Sequence, residues 1–256
     1  MIRNASIVTF ALVLLGTACG GDDDGKSEPA ADAPVADAPV IDPGDGGNYA
    51  PDLDPADFVA AVDNPYFPLP AGGRWVYDSK GGDEVEHTEV VVTDQKKEVL
   101  GIPVTVVRDT VSVDGEVLED TYDWFAQDKD GNVWYLGEDS KEYDENGDVD
   151  TGGSWEAGVD GAYAGIVMPA EPTVGYAYRQ EYYPGEAEDL GEIIKLGQTE
   201  SLPAGEYSDV VVTRDWNPLE PETIEEKSYA PGVGMVAERN ADNDEIVELI
   251  ETTLGS

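Results

Sequence analysis

Positive charge, sulfur and imidazole are what this chain has least of. It holds 14 Lys+Arg against 56 Asp+Glu, with one histidine and one cysteine in 256 residues. The formal net charge is −42. Phosphate backbones are repelled by such a chain, which excludes unaided nucleic-acid binding. The acids are spread along the whole length, as on a strongly solvated surface whose self-repulsion salt would screen. A cationic partner or a divalent metal is the alternative reading. The single cysteine excludes an intrachain disulfide, and there is no His/Cys cluster for zinc or copper. The one histidine, His87, lies in the run VEHTEVVV, and no Gly-x-Ser-x-Gly elbow accompanies it. It is expected to be an exposed strand residue. No glycine-rich phosphate loop appears between a strand and a helix.

Long apolar runs are confined to the N-terminus. Arg3 precedes an apolar stretch, Ala5 to Leu15, that is too short to span a bilayer as a helix. Residues 1–18 therefore read as a signal peptide. They run into Cys19 through Leu15-Gly16-Thr17-Ala18, and the sequence Leu15 to Cys19 resembles the lipobox of bacterial lipoproteins, with Gly16 where leucine is usual. The resemblance implies cleavage before Cys19 and lipid on its sulfur. Ordinary secretion, leaving a free thiol, is the alternative. One acyl chain holds a protein to a membrane only marginally, whereas two or three hold it firmly. The expected location is the bacterial cell envelope, periplasmic or at the cell surface, with the lipid-bearing Cys19 in a membrane.

Residues 19–50 read as a tether. The segment contains GGDDDG, two tandem ADAPV units and IDPGDGGNYAP, with almost nothing to bury. Residues 51–256 read as one folded domain. Asp54-Pro55 looks like the start of a short helix, with Phe58, Val59 and Val62 on its apolar side and Asn64-Pro65 as its stop. From Arg74 onward short β runs alternate with turn pairs such as Asp114-Gly115, Asp130-Gly131 and Asn146-Gly147. The expected fold is mainly β, a curved antiparallel meander forming a half-barrel or open barrel with one short N-terminal helix. The Gly-rich segment 152–172 shows no clear period. It is expected to be a loop, either packed over one end of the sheet or acting as a lid.

The richest stretch is EDTYDWFAQDKDGNVWYLGED, residues 119–139. A three-residue loop, Lys129-Asp130-Gly131, would place Trp134 opposite Ala126 and Leu136 opposite Trp124. One face then collects Leu118, Tyr122, Trp124, Trp134 and Leu136, the larger apolar surface and a candidate ligand groove. Oxygen ligands alternate in Asp144, Asn146, Asp148 and Asp150, and again in Asp128, Asp130 and Asn132. Calcium loops alternate in this way, although the EF-hand pattern is not met, and plain hairpin turns use the same residues. Calcium is the only cofactor suggested. A two-residue turn at Asp114-Gly115 would set Asp109 against Asp120, a like-charge pair that needs a bridging cation or a shared proton, unless a bulge parts them.

Several phrases occur together: NPYFPL with GGRWVYD, the 119–139 stretch, SWEAGVDGA, YYPGEAED and YAPGVGMV. They resemble a family of bacterial lipoproteins of unassigned function across nearly all of 64–250. More weakly, the sheet pattern and YAPGVG are similar to TapB-like and LolA/LolB-like half-barrel envelope proteins. That resemblance implies a curved sheet around an apolar groove, and carries over no catalytic residue. The first functional expectation is a non-catalytic, lipid-anchored envelope protein whose partner is a small apolar or amphiphilic ligand or another envelope protein. The alternatives are a calcium-dependent module and a carboxylate-based hydrolase.

Overall fold

The computed structural model describes residues 49–254 except 82, 83, 145, 242 and 244. The signal segment, Cys19 and nearly all of the tether lie outside the described residues. The wall strands are β1 (Arg74–Lys80), β2 (Glu86–Val92), β3 (Ile102–Val113), β4 (Glu116–Asp128), β5 (Val133–Asp139), β6 (Tyr163–Met168), β7 (Ala177–Arg179, continued by Glu181–Tyr182), β8 (Leu190–Leu202), β9 (Gly205–Asn217), β10 (Glu220–Ala230), β11 (Gly234–Asn240) and β12 (Ile246–Thr253). Each pairs antiparallel with its neighbour in sequence, and β12 returns to β1 through Ile246↔Lys80 to Thr253↔Arg74. The meander is thus a nearly closed barrel. Its narrowest join is between β6 and the continuation of β7, where only Tyr163↔Tyr182 and Ala164↔Glu181 pair.

The two halves of the interior differ. At one end Phe67 packs on Phe125 with ring centroids 5.2 Å apart, and Phe125 stacks on Tyr135 at 5.0 Å. Trp75, Tyr77, Val90, Val92, Val107, Val133 and Tyr229 complete this buried apolar half. The segment NPYFPL closes it. Asn64 donates from Nδ2 to the Gly131 carbonyl at 2.9 Å, and its own N–H reaches Gln127 Oε1 at 2.8 Å. The Gly232 N–H donates to the Pro65 carbonyl, tying YAPGVG to the same plug. The other half is lined by carboxyl groups.

The outer wall carries charge ladders. Arg108 grips Asp120 with two hydrogen bonds, 2.6 and 3.0 Å, and Arg74 bonds Glu89 and Glu251. Lys195 meets Glu226, and Arg214 meets Glu192. Exposed pairs of this kind add little stability each, but they place a large share of the basic residues outside.

The expected helix at Asp54 is one 3₁₀ turn, Pro55–Asp57. Asp54 does cap it, accepting from the Ala56 N–H at 2.9 Å. Phe58 and Val59 then pair with Asp128 and Gln127 on the edge of β4, and that ladder outcompetes a helix too short to stand alone. Segment 152–172 is not a loop, since it contains the wall strand β6. Its glycine has a packing reason. A Cβ on Gly165 would collide with the Gln180 backbone, so only glycine lets β6 approach β7.

Phe125 in the filled interior and Trp134 on the outside offer a direct check. Phe125→Ala should cost about 3–5 kcal/mol, and Trp134→Ala about 1–2 kcal/mol, measured by urea unfolding. Equal costs would contradict the assignment of faces.

Candidate functional site

Alternation along β4 decides what faces inward. Glu119, Thr121, Asp123, Phe125 and Gln127 are buried inside, whereas Leu118, Asp120, Tyr122 and Asp128 are only partly covered on the outside. Neighbouring strands add Glu86, Asp109 and Glu138 to one sector of the interior. Asp109 is 1% exposed, and neither of its carboxyl oxygens has a hydrogen-bond partner among the described residues. Asp123 lies opposite Glu138 across the β4–β5 ladder, and one oxygen of Asp123 accepts from the Tyr135 hydroxyl at 2.8 Å. Thr121 donates to Glu119 at 2.7 Å.

Burial without compensating partners favours the neutral carboxyl. It pushes Glu86, Glu119 and Asp123 up to about 7, with the charge of Glu245 adding at Glu86 and that of Asp123 at Glu119. Asp109 and Glu138 are raised well above the usual range, first by burial and then by facing carboxyls.

A second sector contains its own cation. Lys227, 8% exposed, lies 3.4 Å from Asp215, 3.5 Å from Glu225 and 3.7 Å from Glu238. Burial alone would lower its pKa, but these three carboxylates together push it well above the ordinary lysine value. Glu238, pushed by burial and by Glu225 despite Lys227, still rises to about 8. At the narrow join, Glu181 and Asp189 are both buried, and both carboxyl oxygens of Glu181 and one of Asp189 have no hydrogen-bond partner among the described residues. Burial and Asp189 raise Glu181 well above its usual range, while Asp189 is raised by burial to about 6. Chemically, the interior is lined with buried carboxyls whose neutral form burial favours.

The expected aspartate pair is not formed. A bulge at Leu118 shifts the β3–β4 register, so that Asp109 opposes Thr121 and Asp120 opposes Thr110. Asp120 then points outward to Arg108, and Asp109 inward to Glu119 and Asp123. The three-residue hairpin register holds near the turn, with Ala126 opposite Trp134. A second bulge follows, so Leu136 and Gly137 together face Trp124.

Leu118, Tyr122, Trp124 and Trp134 share the outer face rather than an inner groove. Trp124 lies under the Lys97 ammonium at 3.6 Å. Trp134 donates to Asp128 at 2.8 Å and packs edge-on against Phe58. Leu136 is fully buried.

The two oxygen-rich loops are hairpin turns. Asp144 Oδ1 accepts from the N–H groups of Asn146 and Asp148 at 2.8 and 2.9 Å, and hydrogen bonds from Asp148 and Asn146 lower its pKa. Asp150 accepts from the Gly152 N–H. Asp128 accepts from Gly131, Asn132 and Trp134, and Asn132 Oδ1 accepts from Ala170, with Asp130 exposed at the tip. Among the described residues no three His, Cys, Asp or Glu side chains converge as metal ligands. His87 is exposed on β2, its Nδ1 2.8 Å from Asp78, and the nearby Ser112 hydroxyl donates to the His87 carbonyl.

Comparison with known proteins adds little beyond shape. No family model matches the chain, and no curated protein matches it. One similar solved structure is a Bacteroides fragilis protein named as exported and as having a YmcC-like fold, at 16% identity and a TM-score of 0.40. Another is a Parabacteroides distasonis protein named as a lipoprotein, at 15% identity and a TM-score of 0.35. Each likeness covers 73% of this chain and 98% of the other. Likenesses of this size carry no argument about what the chain does.

The buried acids set an unusual dependence of stability on pH. In the fold, Glu86, Glu119 and Asp123 keep their protons to about 7, whereas the unfolded chain releases them near pH 4. Their contribution is therefore complete below about pH 4 and is lost as pH rises through the folded values. Calorimetry at constant high salt should show Tm falling between about pH 5 and pH 8. Glu119→Gln, which keeps the Thr121 contact, should flatten that slope. A Tm that rises over the interval would contradict the assignment.

Proposed function

We propose that the chain is a non-catalytic, lipid-anchored protein of the bacterial cell envelope. It holds a filled β-barrel on a tether and binds another envelope component, or an apolar or amphiphilic ligand, through the outer surface of that barrel. The observation that carries this reading is the order of parts: an export-type apolar run, small residues ending at Cys19, a Pro/Ala/Asp tether, then the barrel. Filling of the interior supports recognition at the outside, where Tyr122 and Trp134 are partly exposed beside Asp120 and Asp128. Closure of the inner carboxyls to solvent supports a non-catalytic role, because a substrate must reach any acid that acts on it.

In cells, the wild-type protein should partition into detergent and carry acyl chains on Cys19. Cys19→Ala should leave it soluble or unprocessed. Intact-mass measurement of a mature protein with an unmodified Cys19 would end the anchor reading.

A further inference from the structure

We propose that the tether is seated on the barrel wall, with the Asp45 carboxylate received by the guanidinium of Arg179 beside the join between β6 and β7. The partner of this surface is then a segment of the chain itself, the acidic run IDPGDGGN, which stops where the described residues begin at Tyr49.

Arg179 supplies the site. It is only 1% exposed although it belongs to the barrel wall. Its guanidinium centre lies 4.1 Å from the Tyr182 ring centroid and 5.8 Å from that of Tyr49. Rings engage a guanidinium through its flat faces. Its five N–H donors lie along the edge, in a fork that fits a carboxylate. A buried charge favours such a charge-assisted pair over any neutral acceptor.

Tyr49 brings a carboxylate within reach. Its hydroxyl donates to the Ala164 carbonyl at 2.8 Å, and its ring packs edge-on against Tyr182 at 5.8 Å. Tyr182 in turn stacks on Tyr163 at 6.3 Å. The chain is thus fixed to both strands of the join at its first described residue. Asp45 is the nearest acid upstream, with Gly46, Gly47 and Asn48 between. Two glycines permit the tight reversal that returns Asp45 to a guanidinium already beside the Tyr49 ring. The nearest acids downstream, Asp52 and Asp54, are exposed, and Asp54 accepts from the Ala56 N–H.

The seat sets where the tether leaves the barrel. With Asp45 held, residues 19–44 remain between it and the anchor, and they span at most roughly 90 Å. The join side of the barrel then faces the membrane. That orientation rests on the anchor reading given above; the seat itself does not.

Amide order parameters from nuclear magnetic relaxation on the full mature protein test the seat. Residues 45–48 should match rigid backbone at about 0.85, and Asp45→Asn should drop them below about 0.6. Asp42→Asn should leave them unchanged. Arg179→Gln should give the same drop, and Asp45→Asn should add nothing to it. Wild-type values below about 0.6 would overturn the proposal. So would unchanged values in Asp45→Asn, an equal drop in Asp42→Asn, or order retained in a folded Arg179→Gln. The wild type and the two aspartate variants decide the matter even if Arg179→Gln does not fold. None of these readouts depends on acylation, which the mass of Cys19 reports separately.

Discussion

The structure depends on carboxyl groups that point into the barrel and remain uncharged or shared there. An ionised carboxylate in a low-dielectric interior costs several kcal/mol unless it is paired. Lys227 is placed to pair with Asp215, Glu225 and Glu238. Asp109, Glu119, Asp123 and Glu138 face mainly one another. Their proximity is tolerable only because each can hold a proton, and the proton then becomes part of the packing. Remove it, and strands that now touch through neutral groups repel.

The two-ended interior follows from where each strand places its inward residues. β4 runs from Glu119 and Asp123 to Phe125 and β5 from Glu138 back to Tyr135, paired in register, while on β10 Lys227 precedes Tyr229, whose ring centroid lies 6.4 Å from that of Phe67. One end therefore closes with aromatic rings and the NPYFPL plug, which supplies dehydration-driven stability. The other end closes with acids, whose contribution changes with pH. A barrel built this way has a permanent half and a conditional half. The conditional half includes Glu181 at the narrow join between β6 and the continuation of β7.

Much of the architecture was legible in the sequence because turn chemistry is local. Asp130-Gly131 specified a three-residue loop, and Asp128 caps it through Gly131 and Asn132. The antiparallel meander followed from the spacing of such turns. Which face of β4 lies inside was not legible. Glu119, Thr121 and Asp123 read like a solvent face, and the usual rule selects the aromatic face as core. Here Lys97, the Phe58–Val59 edge and the residues around Trp155 cover the aromatics from outside. The bulge at Leu118 has no clear sequence signal, yet it alone parts Asp109 from Asp120. β6 was missed because the glycines of 152–172 look like loop residues. Gly165 is instead a place where the Gln180 backbone approaches too closely for a Cβ.

The protonation of the inner carboxyls can be read directly. Carboxyl carbons of selectively labelled Asp and Glu shift on ionisation, so a titration by nuclear magnetic resonance follows each one in the folded protein. Asp123 and Glu119 should titrate near 7, and Asp109 should titrate well above the ordinary carboxylate range. If all three titrated within the ordinary carboxylate range around pH 4, the carboxyl-lined interior would not be the neutral one on which this account rests.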